Sequence, residues 1–339
     1  MGLLALLILI LLTVASPTPA AACVGKQVPA GADLDRFINS DPSGTATTFC
    51  LPATTYTVDN TLVPQNGDKI IGPTGTLISR PPAFDPEPTA TIRGAAGLDQ
   101  VMKPKGTFTG QWFIVEGGTF TGQSGSGSGI AGGAMTARSS LYAVVVQHNE
   151  GLGISNAHGT FDSIELTDNT NDTRALGFTA SGLKAVDEVE VVRSYVHHTQ
   201  GNGLWCDEFC NDMPTANGTF WVHDNLVVNN GREGVRWEKI GDGPAGEATS
   251  GEALIEGNTI QRNGLQENRA GVGIRDAQDA LVRGNIFGGN AFAIRASDSG
   301  RADRPNLENI DIVNNQLNGE IIKGCELPDA IVFCSGNTR

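Results

Sequence analysis

Between residues 189 and 321 one short pattern is written five times. The segments VEVVRSYVHHTQ (189–200), FWVHDNLVVNNG (220–231), ALIEGNTIQRNG (253–264), ALVRGNIFGGNA (280–291) and IDIVNNQLNGEI (310–321) align without gaps. Their third positions are Val191, Val222, Ile255, Val282 and Ile312, and their eighth are Val196, Val227, Ile260, Phe287 and Leu317. Position six reads Ser194, Asn225, Asn258, Asn285, Asn315. Such a repeat restricts the chain to stacked copies of one unit, because a single copy cannot bury its own apolar face. Each copy reads as two short strands joined at a bend, with one apolar column per strand pointing inward. Asn suits the bend because it tolerates left-handed backbone. Stacked Asn side chains also hydrogen-bond along a ladder. Of 24 Asn in the chain, 21 follow residue 148, where the repeat region is expected to begin.

A third strand recurs between these pairs: GISNAHG (153–159), GLKAVDE (182–188), GLWCDEF (203–209), GVRWEKI (234–240), GIRDAQD (273–279) and AIRASDS (293–299). Its second positions, Ile154, Leu183, Leu204, Val235, Ile274 and Ile294, form a third inward column. Three strands per turn, with turns of about 20 residues plus insertions, describe a parallel β-helix. The fold class expected is therefore all-β: a single-stranded right-handed parallel β-helix, or solenoid, running from about residue 45 to the C-terminus. Its hand follows from the rule for parallel crossovers. With 44 Gly and only 18 % charged residues, a long helical bundle is excluded. ADLDRFINSD (32–41) places Leu34, Phe37 and Ile38 on one helical face, which predicts an N-terminal capping helix over the open end of the coil. The stretches 79–88 and 122–133 read as loops from their Pro and Gly content.

Residues 1–22 read as a secretory signal peptide: an apolar run, Leu3–Val14, too short to span a membrane, precedes small residues and prolines. The β-helix domain is then 23–339, with its N-terminal cap at about 23–48. Six cysteines in an exported chain suggest three disulfides. Local spacing favours Cys23 with Cys50, Cys206 with Cys210, and Cys325 with Cys334. Lipid anchoring at Cys23 is the lesser alternative for its position after Ala-Ala-Ala. A formal charge of −14 argues against a general nucleic-acid binder. No membrane span is expected, and the oligomeric state is left open.

The Asn-bend repeats, together with GLWCDEFC (203–210) followed by GVRWEKI (234–240), resemble the secreted right-handed parallel β-helix repeat proteins of the pectate-lyase-like superfamily. The resemblance covers about residues 23–339. It implies the fold, and it implies an activity only broadly, because members cleave or epimerise acidic polysaccharides while others are adhesins or structural parts. No epimerase or pectate-lyase motif matches residue by residue, so no catalytic role is carried over.

The chemistry must come from the outward positions of the third strand. Aligned on the inward column, they form two rows: Ser155, Lys184, Trp205, Arg236, Arg275, Arg295, and Ala157, Val186, Asp207, Glu238, Ala277, Ser297. Adjacent strands lie about 4.8 Å apart, which makes Asp207 and Glu238 neighbouring carboxylates flanked by cations and an indole. Insertions at 208–219, 239–252 and 263–271 are expected to wall a solvent-facing groove over them. An extended groove suits a polysaccharide.

Three functions fit. A lyase or related enzyme acting on a uronate-containing polysaccharide would use Arg236 and Arg275, or Ca²⁺ held by Asp207 and Glu238, to neutralise the substrate carboxylate. Lys184 or an Arg would be the base, with Trp205, Arg275 and Arg295 binding substrate. A glycoside hydrolase would use Asp207 and Glu238 as its carboxyl pair. A non-catalytic surface protein would use the same groove for binding alone. His197 and His198 fall away from the groove and read as structural; His158 shows no partner pattern.

Overall fold

The computed structural model describes residues 23–42, 44–123, 125–132, 138–177, 180–207, 219–238, 252–264, 269–300, 306–328 and 331–339. The expected leader (1–22), Cys210 and most of the three insertions lie outside the described residues.

The chain winds as a right-handed parallel β-helix. Its strands stack into three parallel faces, termed the first, second and third sheets, one for each strand of the repeat. Among the described residues, the first and third are joined into one 19-stranded hydrogen-bonded sheet and the second has nine strands. In the first, Val191, Val222, Ile255, Val282 and Ile312 are successive partners. In the second, Val196, Val227, Ile260 and Phe287 are. All are buried, so both columns point into the core as the repeat requires. The third sheet contains Asn202–Cys206, Val235–Glu238, Ala270–Arg275 and Phe292–Ser297. Two long strands, Ile154–Asp162 and Ser181–Val192, run without a break from the third sheet into the first.

The bends differ from expectation in one respect. Left-handed backbone sits on the residue before each ladder position, at Arg193, Asp224, Gly257, Gly284 and Asn314, and not on the Asn itself. The Asn is there for its amide. Asn258 donates to the Val222 carbonyl (2.8 Å) and to Asn285 Oδ1 (2.9 Å), and accepts from the Asn225 backbone N–H (2.9 Å) and side chain (3.0 Å). The ladder runs from Ser194 through Asn225, Asn258, Asn285 and Asn315 to Asn337. A second ladder at the other bend joins Thr199, Asn230, Asn263 and Asn290, and ends on Glu320. Both satisfy backbone groups that a bend would otherwise bury without partners.

At the N-terminal end, Leu34–Asn39 is helical, with the Asp33 side chain accepting from the Arg36 N–H as its cap. Leu34 and Ile38 are buried, and Phe37 packs against Phe49. Strand pairing begins earlier than residue 45, since Lys26–Gln27 already lies parallel to Thr48–Cys50. Cys23 is bonded to Cys50, and Cys325 to Cys334. The first bond consumes the Cys23 thiol that lipid anchoring would need.

Both expected loops contain strands. Residues 76–87 form an antiparallel hairpin, Thr76–Arg80 with Ala83–Glu87. Pro81 and Pro82 sit at its turn and Pro86 in a two-stranded sheet, where a missing N–H is tolerated. In the glycine-rich stretch, Ser128–Ala131 pairs with Gln100–Met102. Its Gly129 permits close approach: a Cβ there would stand 2.7 Å from the Asn149 amide. Among the described residues, no helix is long and apolar enough to cross a membrane.

Candidate functional site on the third sheet

The register of the third sheet keeps part of the expected rows and changes two positions. Lys184 pairs with Trp205, and Trp205 with Arg236, as expected. Continued one residue further, the same register sets Asp207 beside Glu238. The next strand is displaced by two residues: Arg236 faces Gly273, and Glu238 faces Arg275. Sequence alignment matched Ile274 to Val235, whereas the partner is Val272. The cause is Trp237, which is itself inward and fully buried. Val235 and Trp237 offer two inward positions, and Val272 and Ile274 fill both. A two-residue slip preserves the face, so Arg275 still points outward but in the Glu238 row. Arg295 stays in the first row, beside Gly273.

The second change lies at the other end. Ile154 pairs with Leu183, yet Ala157 pairs with Ala185, so one extra residue is inserted between them. Asn156, at φ 50°, is the left-handed residue of this bulge. Ala157 turns inward, and His158, the next residue, stands beside Asp187 with both ring nitrogens enclosed. His158 is 7 % exposed and its Nε2 lies 3.7 Å from Asp187 Oδ2. The row therefore reads Val186, Asp207, Glu238, Arg275, Ser297, with His158 and Asp187 at its end. The reading from sequence missed His158 and Asp187. The available signal was Asn156, a residue type that accepts the left-handed conformation a bulge needs.

The two carboxylates are each held by a cation. Lys184 Nζ donates to Asp207 Oδ2 at 2.9 Å, and Arg236 Nη2 to Glu238 Oε1 at 2.7 Å. Arg236 also approaches Glu233 (3.5 Å), which binds Arg269 at 3.2 Å, while Arg275 lies 3.9 Å from Glu238. Trp205 underlies the cations, with Lys184 Nζ 4.5 Å and Arg236 Cζ 5.5 Å from its ring. Its ring therefore holds two cations in place. Trp205, Asp207, Arg236 and Glu238 are each less than one-tenth exposed, where a solvent-facing set was expected. Exposure begins at Arg275, whose side chain is 46 % accessible.

Beyond this buried network lies a cavity of about 320 Å³, lined among the described residues by Glu233, Arg236, Arg269, Arg275, Arg295 and Ser299, among others. Four guanidiniums face it against two carboxylates, those of Glu233 and Asp298, a local excess of two positive charges in a chain of net charge −14. A cationic recess on an acidic protein selects anionic groups.

The carboxylates do not fit a calcium site. Ca²⁺ takes six to eight oxygen ligands, whereas Asp207 and Glu238 already face Lys184 and Arg236. Among the described residues, no three His, Cys, Asp or Glu side chains converge as metal ligands. His197 and His198 lie on the second sheet, bonded to Glu165 (2.8 Å) and to each other (2.6 Å), apart from this network. Cys206 is the buried last residue of the site strand Asn202–Cys206, turned into the core.

No protein-family model matches the chain, and no curated protein sequence does. Among solved structures the fold is similar to the A-module of a mannuronan C-5 epimerase from Azotobacter vinelandii, at 16 % identity and a TM-score of 0.54, over 86 % of this chain and 75 % of that one. It is also similar to an alginate lyase from a Paenibacillus species, at 13 % identity and a TM-score of 0.50, over 92 % of this chain and 94 % of that one.

Proposed function

We propose that the third sheet binds an acidic, uronate-containing polysaccharide and catalyses β-elimination at a uronate residue, in a protein exported to a compartment that permits disulfides. The observation that carries this reading is the row Asp207–Glu238–Arg275, with Lys184 and Arg236 beside it, the His158–Asp187 pair at one end and an arginine-lined recess at the other. Two solved structures of similar fold are, by name, a mannuronan epimerase and an alginate lyase, enzymes of uronate polymers. That agreement supports the substrate class.

Elimination needs three groups: a cation against the carboxylate, a base for the C5 proton and an acid for the leaving oxygen. At the reacting uronate the cation is Lys184, one strand from His158. Arg275 and Arg295 line the recess four and five strands from His158, about 19 and 24 Å at roughly 4.8 Å per strand, and hold carboxylates further along the polymer. Lys184, expected from sequence to be the base with an Arg as the alternative, is bonded to Asp207 as an ammonium ion is. His158, 3.7 Å from Asp187, is the base. The imidazole takes the C5 proton, the C4–O bond breaks as the C4–C5 double bond forms, and the imidazolium returns the proton to the departing oxygen. The paired-carboxylate hydrolase fits less well. It needs one carboxyl with a proton to give, and both carboxylates here face cations.

The test is a panel of acidic and neutral polysaccharides with ultraviolet detection of unsaturated ends. Turnover on a uronate polymer is expected, with His158→Asn and Lys184→Met each reduced at least about 100-fold while remaining folded. Reducing ends without unsaturation would give the reaction to a hydrolase. Binding without any product would leave a non-catalytic carbohydrate-binding protein.

A further inference from the structure

We infer that a second carbohydrate subsite, built for a neutral sugar, lies around the corner from the third sheet, with the Trp221 indole as its wall. Trp221 lies on Thr219–His223, in the first sheet, and is half-buried. One face of its ring stacks on His223, at a centroid distance of 4.1 Å and 23° between planes. Its Nε1 donates to Glu256 Oε1 at 3.0 Å. Glu256 is fixed in turn by Arg283, at 2.6 Å. Burial alone would raise the Glu256 carboxyl, but the bonds from Arg283 and Trp221 hold it below the ordinary glutamate value. The indole is thus locked in one orientation before any ligand arrives, which removes part of the entropy cost of binding.

Trp221 also walls a slot of about 170 Å³. The rest of its polar lining is Arg138, Thr160, Glu188, Glu190 and Thr219. An aromatic wall beside hydroxyls, carboxylates and a guanidinium matches a pyranose, whose C–H face stacks on a ring while its hydroxyls exchange hydrogen bonds at the edge. Glu188 is paired with Arg138 and Glu190 with His223 (3.2 Å), so the acceptors are held in place.

The charge of the slot sets the class of sugar. Two glutamates stand against one arginine, one negative charge in excess, where the recess on the third sheet has two positive charges in excess. A uronate is repelled here and a neutral sugar is not. The slot also begins where the proposed catalytic face ends. Gly159 follows His158 and Glu188 follows Asp187 along the two strands that pass from the third sheet into the first. Its placement next to the substrate path rests on the reading proposed above; its preference for neutral sugars does not. A polymer in which neutral sugars alternate with or branch from uronates would occupy both.

The experiment is calorimetric titration of the full mature chain with neutral gluco-, manno-, galacto- and xylo-hexasaccharides, and with oligomannuronate and oligogalacturonate of equal length. At least one neutral hexasaccharide is expected to bind, with affinity reduced tenfold or more in Trp221→Ala and in Thr219→Val, and unchanged in Arg36→Ala, exposed on the N-terminal helix. Trp221→Phe, which keeps a flat ring, is expected to retain most of the binding, and melting temperatures separate loss of the wall from loss of the fold. The inference is overturned if no neutral hexasaccharide binds at millimolar concentration, or if folded Trp221→Ala and Thr219→Val bind as wild type does. Uronate binding that depends on Trp221 would overturn the charge argument. Loss of uronate turnover with neutral binding intact would instead count against the proposed function alone.

Discussion

Asp207 and Glu238 carry like charge on neighbouring strands, and the structure tolerates them because each has a cation of its own. Their burial sets what substitution costs. Asp207→Asn leaves the Lys184 ammonium, 12 % exposed, without its carboxylate. Breaking a buried pair from one side costs about 3–5 kcal/mol, so chemical denaturation should show a loss of that order. Arg295→Ala, on a half-buried side chain at the edge of the recess, should stay within about 0.5 kcal/mol. Equal, small losses in both would mean that the Lys184–Asp207 pair is solvated in solution. The order Lys184, Trp205, Arg236 was legible in the sequence because each follows an inward apolar residue by one position. Arg275 was misplaced because Val272 and Ile274 are equally good inward residues and spacing does not choose between them. His158 was missed because the bulge left a single mark in the sequence, Asn156, among many asparagines that sit on the ladders instead.

At the scale of elements, the inward columns were readable because burial on one face imposes period two on every strand. The bends were only half readable. Asn was correctly placed on the ladder, but the left-handed residue ahead of it is as often Arg, Asp or His as Gly, because the ladder, not local propensity, fixes the backbone there. The second ladder ends on a glutamate. Glu320 Oε1 accepts from the Asn290 backbone N–H at 2.7 Å, and its carboxylate also from the Asn290 amide. Burial raises its carboxyl above the ordinary glutamate value of 4.5, and the Asn290 bonds only partly oppose this. The folded state therefore binds the Glu320 proton more tightly than the unfolded state. Its stabilising effect is complete below pH 4.5 and is lost as pH rises through the raised value. Glu320→Gln keeps an acceptor for Asn290 and carries no charge. Its stability relative to wild type should rise between acid and neutral pH, as measured by urea midpoints across that range. A flat difference would show that the carboxylate is fully hydrated at the ladder end.

Across the whole molecule, the charges divide the labour between neighbouring surfaces. An arginine-lined recess on one sheet and a carboxylate-edged slot on the next stand on a body of net charge −14. The ladders also give this solenoid a mechanical character. Successive rungs Asn225, Asn258, Asn285 and Asn315 are 33, 27 and 30 residues apart, so the turns share one cross-section but hold unequal lengths of chain. A turn at the end of the stack is tied mainly to the next turn. Pulled by its two ends, the molecule should come apart as a spool unwinds, one turn at a time. Each step would release roughly 90–120 Å of contour at about 3.3–3.6 Å per residue. Force–extension traces with steps of unequal size, repeating in the order of the rung spacings, are expected; a single all-at-once rupture would mean that cohesion extends over many turns. On that view the unequal spacing is a length code, written along the axis and read out under tension.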